Sequence, residues 1–127
     1  MAQPTVAIVG ASRDRHKFGN KAVRAYKVQG YQVFPVHPTA SEIEECPAYP
    51  SIGDLPVERL DRVCLYVPPA VGLRLLDDIA RKSVGELWVN PGAESDELFA
   101  KAQQLGLNTI FACSIVGVGM RPDQLDE

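Results

Sequence analysis

The densest chemistry in this sequence lies between Gly10 and Lys21. Arg13, Arg15, Lys17 and Lys21 are set there against the single acid Asp14, with His16 beside them. The apolar run Thr5-Val6-Ala7-Ile8-Val9 precedes this loop, and a helical pattern follows it. A strand-to-helix loop aims backbone N–H groups and the positive end of a helix dipole at one point, where an anion can sit. Gly10 permits the sharp turn, Gly19 permits close approach at the helix start, and the Ser12 hydroxyl can donate to an anionic oxygen. The whole chain is acidic, with 13 Lys+Arg against 16 Asp+Glu and a net charge of −3. The basic character is therefore local. It favours a small anionic ligand over nucleic acid, which needs a basic face. The bland alternative is a solvated loop whose cations face water.

Spacing narrows the ligand. Gly10 is followed by Ala11-Ser12, with no further glycine until Gly19, so the dinucleotide fingerprint G-x-G-x-x-G is absent. The phosphate loop G-x-x-x-x-G-K-[ST] is absent too. NAD sites usually place an acid near the end of the second strand to bind a ribose diol. Here that place is His37-Pro38, and the next acid is Glu42. NAD is disfavoured, and a nucleotide with a phosphate on its ribose suits His37 and the basic loop better. Pro35-Val36-His37-Pro38 and Val67-Pro68-Pro69 end neighbouring apolar runs. They could form a slot for an adenine ring, or simply terminate strands.

The elements that must position these residues follow from periodicity. The 127 residues, 46% hydrophobic and 23% charged, correspond to one globular domain, taken as residues 1–127, and exclude disorder. Five apolar runs read as strands: Thr5–Val9, Tyr31–Val36, Arg62–Val67, Glu86–Asn90 and Asn108–Ala112. Helical spacing predicts helices over Asn20–Gln29, over Ala70–Lys82, and from an N-cap at Ser95 to a stop at Gly106. Thr39–Leu60 is rich in turns, and the tail from Cys113 has no firm pattern. This alternation predicts an α/β fold: a three-layer, Rossmann-like parallel sheet of about five strands, order 3-2-1-4-5, with helices on both faces. Ligands of such sheets bind at the carboxyl ends of the strands. The loops to watch start at Gly10, Val36, Val67 and Asn90.

Other chemistry is thin. Cys46, Cys64 and Cys113 form neither a disulfide framework nor a metal clip, which is consistent with a reducing, cytoplasmic setting. Cys64 and Trp88 read as core. Cys113 ends a strand at the ligand edge, where it either packs or meets a ligand thiol in a mixed disulfide. Glu94, Asp96 and Glu97 complement a helix dipole. No catalytic triad or metal site has supporting spacing, and no apolar run reaches membrane-spanning length. The N-terminal Met1-Ala2-Gln3-Pro4 has no signal-peptide pattern.

Val9-Gly10-Ala11-Ser12-Arg13-Asp14, Lys17-Phe18-Gly19-Asn20-Lys21, Pro35-Val36-His37-Pro38, Tyr49-Pro50-Ser51, Val67-Pro68-Pro69 and Pro91-Gly92-Ala93-Glu94-Ser95 occur in one order. In that series the chain resembles the small bacterial and archaeal CoA-binding proteins. That family is similar to the CoA-binding domain of succinyl-CoA synthetase α-subunits. The resemblance implies coenzyme A, or an acyl-CoA, as ligand and no catalysis by this chain. It implies phosphate binding by Gly10, Ala11, Ser12, Arg13, Lys17, Phe18 and Gly19. Val36, His37 and Pro38 would meet the adenosine end, Val67, Pro68 and Pro69 the adenine or pantetheine, with Asn90 and Gly92 at the remaining edge. His37 stands where Asn is expected, and Asn90 where Gln is expected. Ligase relatives use a phosphorylated histidine in a separate domain. Two other readings stay open: an NAD(P)-binding oxidoreductase-like domain, and an interaction protein that has lost its ligand. A homodimer or a protein partner is compatible with all three.

Overall fold

The computed structural model describes residues 3–126; Met1, Ala2 and Glu127, the ends of the expected domain and of the N-terminal reading, lie outside the described residues. Along the chain run β1 (Thr5–Val9), α1 (Phe18–Val28), β2 (Gln32–Val36) and a small hairpin of β3 (Glu42–Ile43) and β4 (Cys46–Pro47). Then come β5 (Arg59–Leu65), α2 (Pro69–Ala80), β6 (Ser83–Val89), α3 (Asp96–Gln104), β7 (Thr109–Phe111) and a short α4 (Ser114–Gly117). The five main strands are parallel, in the order β2-β1-β5-β6-β7.

Side chains alternate across this sheet as the pleat requires. Ala7, Val9, Val63, Leu65, Leu87 and Val89 meet Leu76 and Ile79 of α2 and Leu98 and Ala102 of α3. Val6, Ile8, Val33, Cys64 and Trp88 meet Ala22, Val23 and Tyr26 of α1 and Ile115 of α4. Both faces are covered, which explains why the strands read as continuous apolar runs. The architecture is the expected three-layer α/β fold.

The expected strand order needs correction. Among the five main strands the order is 2-1-3-4-5, because β5 lies beside β1 and not outside β2. The physical reason is the turn-rich stretch after β2. It touches the outer side of β2 through one parallel bridge, Val36 to Tyr49, held by His37 N to Tyr49 O at 2.9 Å and Tyr49 N to Pro35 O at 3.0 Å. Pro47 and Pro50 flank Tyr49, and their missing N–H groups stop the ladder from growing.

Candidate functional site

The carboxyl ends of β1, β2, β5 and β6 surround a cleft of about 720 Å³. Two glycines build it. Gly10 has φ +92°, and a Cβ there would stand 2.5 Å from the Tyr66 carbonyl oxygen. A Cβ on Gly19 would stand 2.2 Å from the Gly10 carbonyl oxygen. The loop therefore closes on itself, with the start of α1 resting on the end of β1. Buried Asn20 locks the closure: its Nδ2 donates to Ser12 O at 2.8 Å and to Glu44 Oε2 at 3.0 Å, and its Oδ1 accepts from Arg24 Nε at 2.7 Å. Inside the loop, Asp14 N donates to Ser12 Oγ at 3.0 Å, and His16 N donates to Asp14 Oδ1 at 3.0 Å. That backbone donor holds the Asp14 carboxyl below its usual range.

The helix that starts here is left uncapped by its own side chains. Lys17 occupies the N-cap with extended backbone, makes no side-chain cap bond, and is followed by no acid in the first turn. A bare helix start presents unpaired N–H groups and a partial positive charge.

The cleft gathers most of the residues singled out in the sequence. From the first loop come Gly10, Ala11, Ser12, Lys17, Phe18 and Gly19. From the other strand ends come His37, Val67, Pro68, Pro69 and Gly92. Four others stand elsewhere. Val36 and Pro38 line a separate apolar recess of about 200 Å³, walled also by Pro50, Val67, Val71 and Leu75. Asn90 lines a third recess. Arg13 lines none of these; its Nε donates to Glu42 O at 3.3 Å.

The cations of the loop divide accordingly. Arg15 pairs with Glu44 of the hairpin at 2.8 Å, and Lys21 pairs with Asp126 and lies 5.3 Å from the Phe18 ring. Of the four loop cations, Lys17 lines the cleft, with the His16 side chain beside it. The local excess of charge read from the sequence is real, but three of its four cations, Arg13, Arg15 and Lys21, anchor the loop to the hairpin and the tail.

His37 has a clear local task. Its Nδ1 accepts from Thr39 N at 3.1 Å and Ala40 N at 2.9 Å, which leaves Nε2 as the atom able to meet a ligand. Asn90 is buried, with both ends of its amide engaged: Nδ2 donates to Leu65 O at 3.0 Å and Oδ1 accepts from Ser114 N at 2.7 Å. It ties the end of β5 to the start of α4.

Sequence reasoning passed over His16, Tyr66, Pro91 and Ala93 as site residues, although all four line the cleft. Each adjoins a flagged motif. Tyr66 was concealed by reading it as the interior of a strand, whereas β5 ends at Leu65. Its hydroxyl bonds Ser114 Oγ at 2.7 Å, and burial pushes the phenol far up, so it stays neutral. Cys64 is fully buried, as expected, and burial lifts its thiol to about 11. Cys113 is half-buried beside Asn90 in the third recess. Among the described residues no helix is long and apolar enough to cross a membrane.

This cleft, at the point where the chain turns to opposite sides of β1, is where a parallel sheet takes a nucleotide. Residues 4–118 match the CoA-binding domain family. The chain belongs to that family. Over 91 residues this CoA-binding domain is 35% identical to the ADP-forming acetate–CoA ligase II of Archaeoglobus fulgidus, spanning 69% of the chain and 13% of the ligase. The match to the ligase II α-subunit of Pyrococcus furiosus is 28% identical and spans 83% of the chain and 25% of the subunit. The chain thus covers a quarter or less of these curated relatives. Its fold is similar to a conserved hypothetical protein from Pyrococcus furiosus, with TM-score 0.80 and 31% identity over 91% of this chain and 99% of that one.

Proposed function

We propose that residues 1–127 act as one unit that binds coenzyme A without catalysing a reaction of its own. The phosphates lie on the Gly10–Gly19 loop, against the bare start of α1, with Ser12 and Lys17 as side-chain donors. The adenine enters the apolar recess of Val36, Pro38 and Val67, whose walls suit a planar base. His37 Nε2 lies toward the adenosine phosphate, and the pantetheine arm runs past Pro68, Pro69 and Gly92. The observation that carries this reading is the uncapped, Lys-bearing helix start that lines the cleft. Family membership supplies the identity of the anion. The ligase relatives are far longer, and the chain spans a quarter or less of their length.

A thermal-shift panel of coenzyme A, dephospho-CoA, NADP, NAD and ATP, each at ~1 mM, tests the reading. A ligand with Kd of ~1 μM stabilises by about 4 kcal/mol under those conditions. That corresponds to a rise in Tm of several degrees or more. The expected result is a shift with coenzyme A that shrinks with dephospho-CoA. A shift with NADP alone moves the assignment to a dinucleotide-dependent domain. No shift with any of them means that the cleft has no nucleotide function.

A further inference from the structure

Beside the cleft lies a smaller recess of about 240 Å³, lined by Phe18, Tyr66, Asn90, Pro91 and Cys113. Phe18, Tyr66 and Pro91 also line the cleft, so the two spaces share a wall. Its position relative to the phosphate loop is informative. The apolar recess of Val36 and Pro38 opens at the end of β2, on one side of the β1 loop. The recess at Cys113 opens where β6 and β7 end, on the other side. A ligand with its phosphates on the loop and its base at β2 therefore carries its far end toward Cys113.

The lining decides what that end can be. None of the five residues carries a charge. The Tyr66 hydroxyl is bonded to Ser114 Oγ at 2.7 Å, and the Asn90 amide is bonded at both ends, to Leu65 O and Ser114 N. What remains is aromatic and proline surface and a thiol, a weak hydrogen-bonding group. An apolar chain gains by leaving water for such a space, whereas a carboxylate loses its hydration and meets no charged side chain among the five lining residues. A dry cavity of about 150 Å³ already holds a benzene-sized molecule, so this recess has room for several carbons.

We propose that this recess is an acyl subsite, and that the domain takes a short, uncharged acyl thioester of coenzyme A in preference to the free thiol or a dicarboxylic thioester. The proposal rests on the coenzyme A reading above. Isothermal titration of the full chain with coenzyme A, acetyl-CoA, butyryl-CoA and succinyl-CoA tests it. Each buried methylene multiplies affinity by about fourfold, so butyryl-CoA is expected to bind about tenfold or more tighter than acetyl-CoA. Succinyl-CoA is expected to bind no better than coenzyme A. The substitution Cys113→Phe fills the recess, and the butyryl-to-acetyl ratio is expected to fall toward one. If that variant does not fold, Phe18→Ala replaces it: Phe18 is 53% exposed, so its removal opens the wall without emptying the core. If coenzyme A fails to bind the unaltered protein, the underlying reading fails. If coenzyme A binds but the unaltered protein shows a ratio near one, or a high ratio persists in the variants, the acyl subsite is overturned.

Discussion

Of the helices that begin at this edge of the sheet, α1 and α3 treat their positive ends in opposite ways. At α3, Ser95 Oγ accepts from Leu98 N at 3.1 Å, and Asp96 and Glu97 fill the first turn. Just before it, the Glu94 carboxylate accepts from Gly92 N at 3.0 Å. That helix satisfies its own dipole. At α1 the N-cap is Lys17, which has no acceptor to offer, and the first turn holds no acid. Lacking a capping side chain costs about 1 kcal/mol, and a cation against the positive end adds a few tenths or more. The free protein carries this cost where the two glycines bring strand end and helix start together. An anion is the cap that α1 lacks. The start of α3 completes itself, whereas the start of α1 leaves a place for an anion beside the cleft, which is what the proposed phosphate site uses.

The glycines test this contrast most severely. Gly19→Ala sets a Cβ against the Gly10 carbonyl, so the loop must open. The expected cost is about 2–4 kcal/mol in stability, read by chemical denaturation, with coenzyme A binding lost. Gly92→Ala, on the α3 side, has open space around its Cβ and suffers only from φ +97°. It should cost about 1 kcal/mol. Equal losses at the two positions would mean that the α1 loop is no more constrained than the α3 loop.

Lys17→Asp converts the first helix start into a copy of the second. Its carboxylate becomes the missing cap, so the free protein should gain about 0.5–1 kcal/mol. Coenzyme A affinity should fall by about 3 kcal/mol, since a charge-assisted donor is replaced by a like charge. Lys17→Ala should lose about 1–3 kcal/mol. Arg13→Ala should lose less, because that guanidinium is held on the Glu42 carbonyl. Unchanged affinity in Lys17→Asp would detach the ligand from this helix. The reciprocal change, Ser95→Ala, should lower stability by about 1 kcal/mol and leave coenzyme A binding alone. A binding defect there would erase the distinction.

Much of this was legible in the sequence, and the illegible part has physical causes. The five strands, three helices and the anion loop are written in short-range patterns: apolar runs, helical spacing, and glycine where φ is positive, as at Gly10, Gly30 and Gly106. The strand order was not, because it turns on one bridge at Tyr49 between two prolines, which no hydrophobic run announces. The fates of the loop cations were not legible either. Arg15 and Lys21 are claimed by Glu44 and Asp126, respectively 29 and 105 residues away. Asn90 read as ligand-facing from its place before Pro91, yet its amide bridges Leu65 and Ser114. Motif position marks an edge of a site, and it does not tell which way a side chain is engaged.

The smallest expected effect separates the two tasks of His37. Its Nδ1 takes the N–H groups of Thr39 and Ala40, the arrangement an Asn side chain makes with Oδ1 in the same place. His37→Asn should therefore preserve the turn and change stability by less than about 0.5 kcal/mol. It removes Nε2. If that atom meets the adenosine 3′-phosphate, coenzyme A affinity falls by about 1 kcal/mol, while dephospho-CoA affinity stays the same. An equal fall for both ligands would assign His37 to the turn alone. His37→Ala supplies the reference, because it leaves two N–H groups without their acceptor and should weaken both ligands together. The base recess at β2 would then be coupled to the phosphate loop through backbone geometry alone.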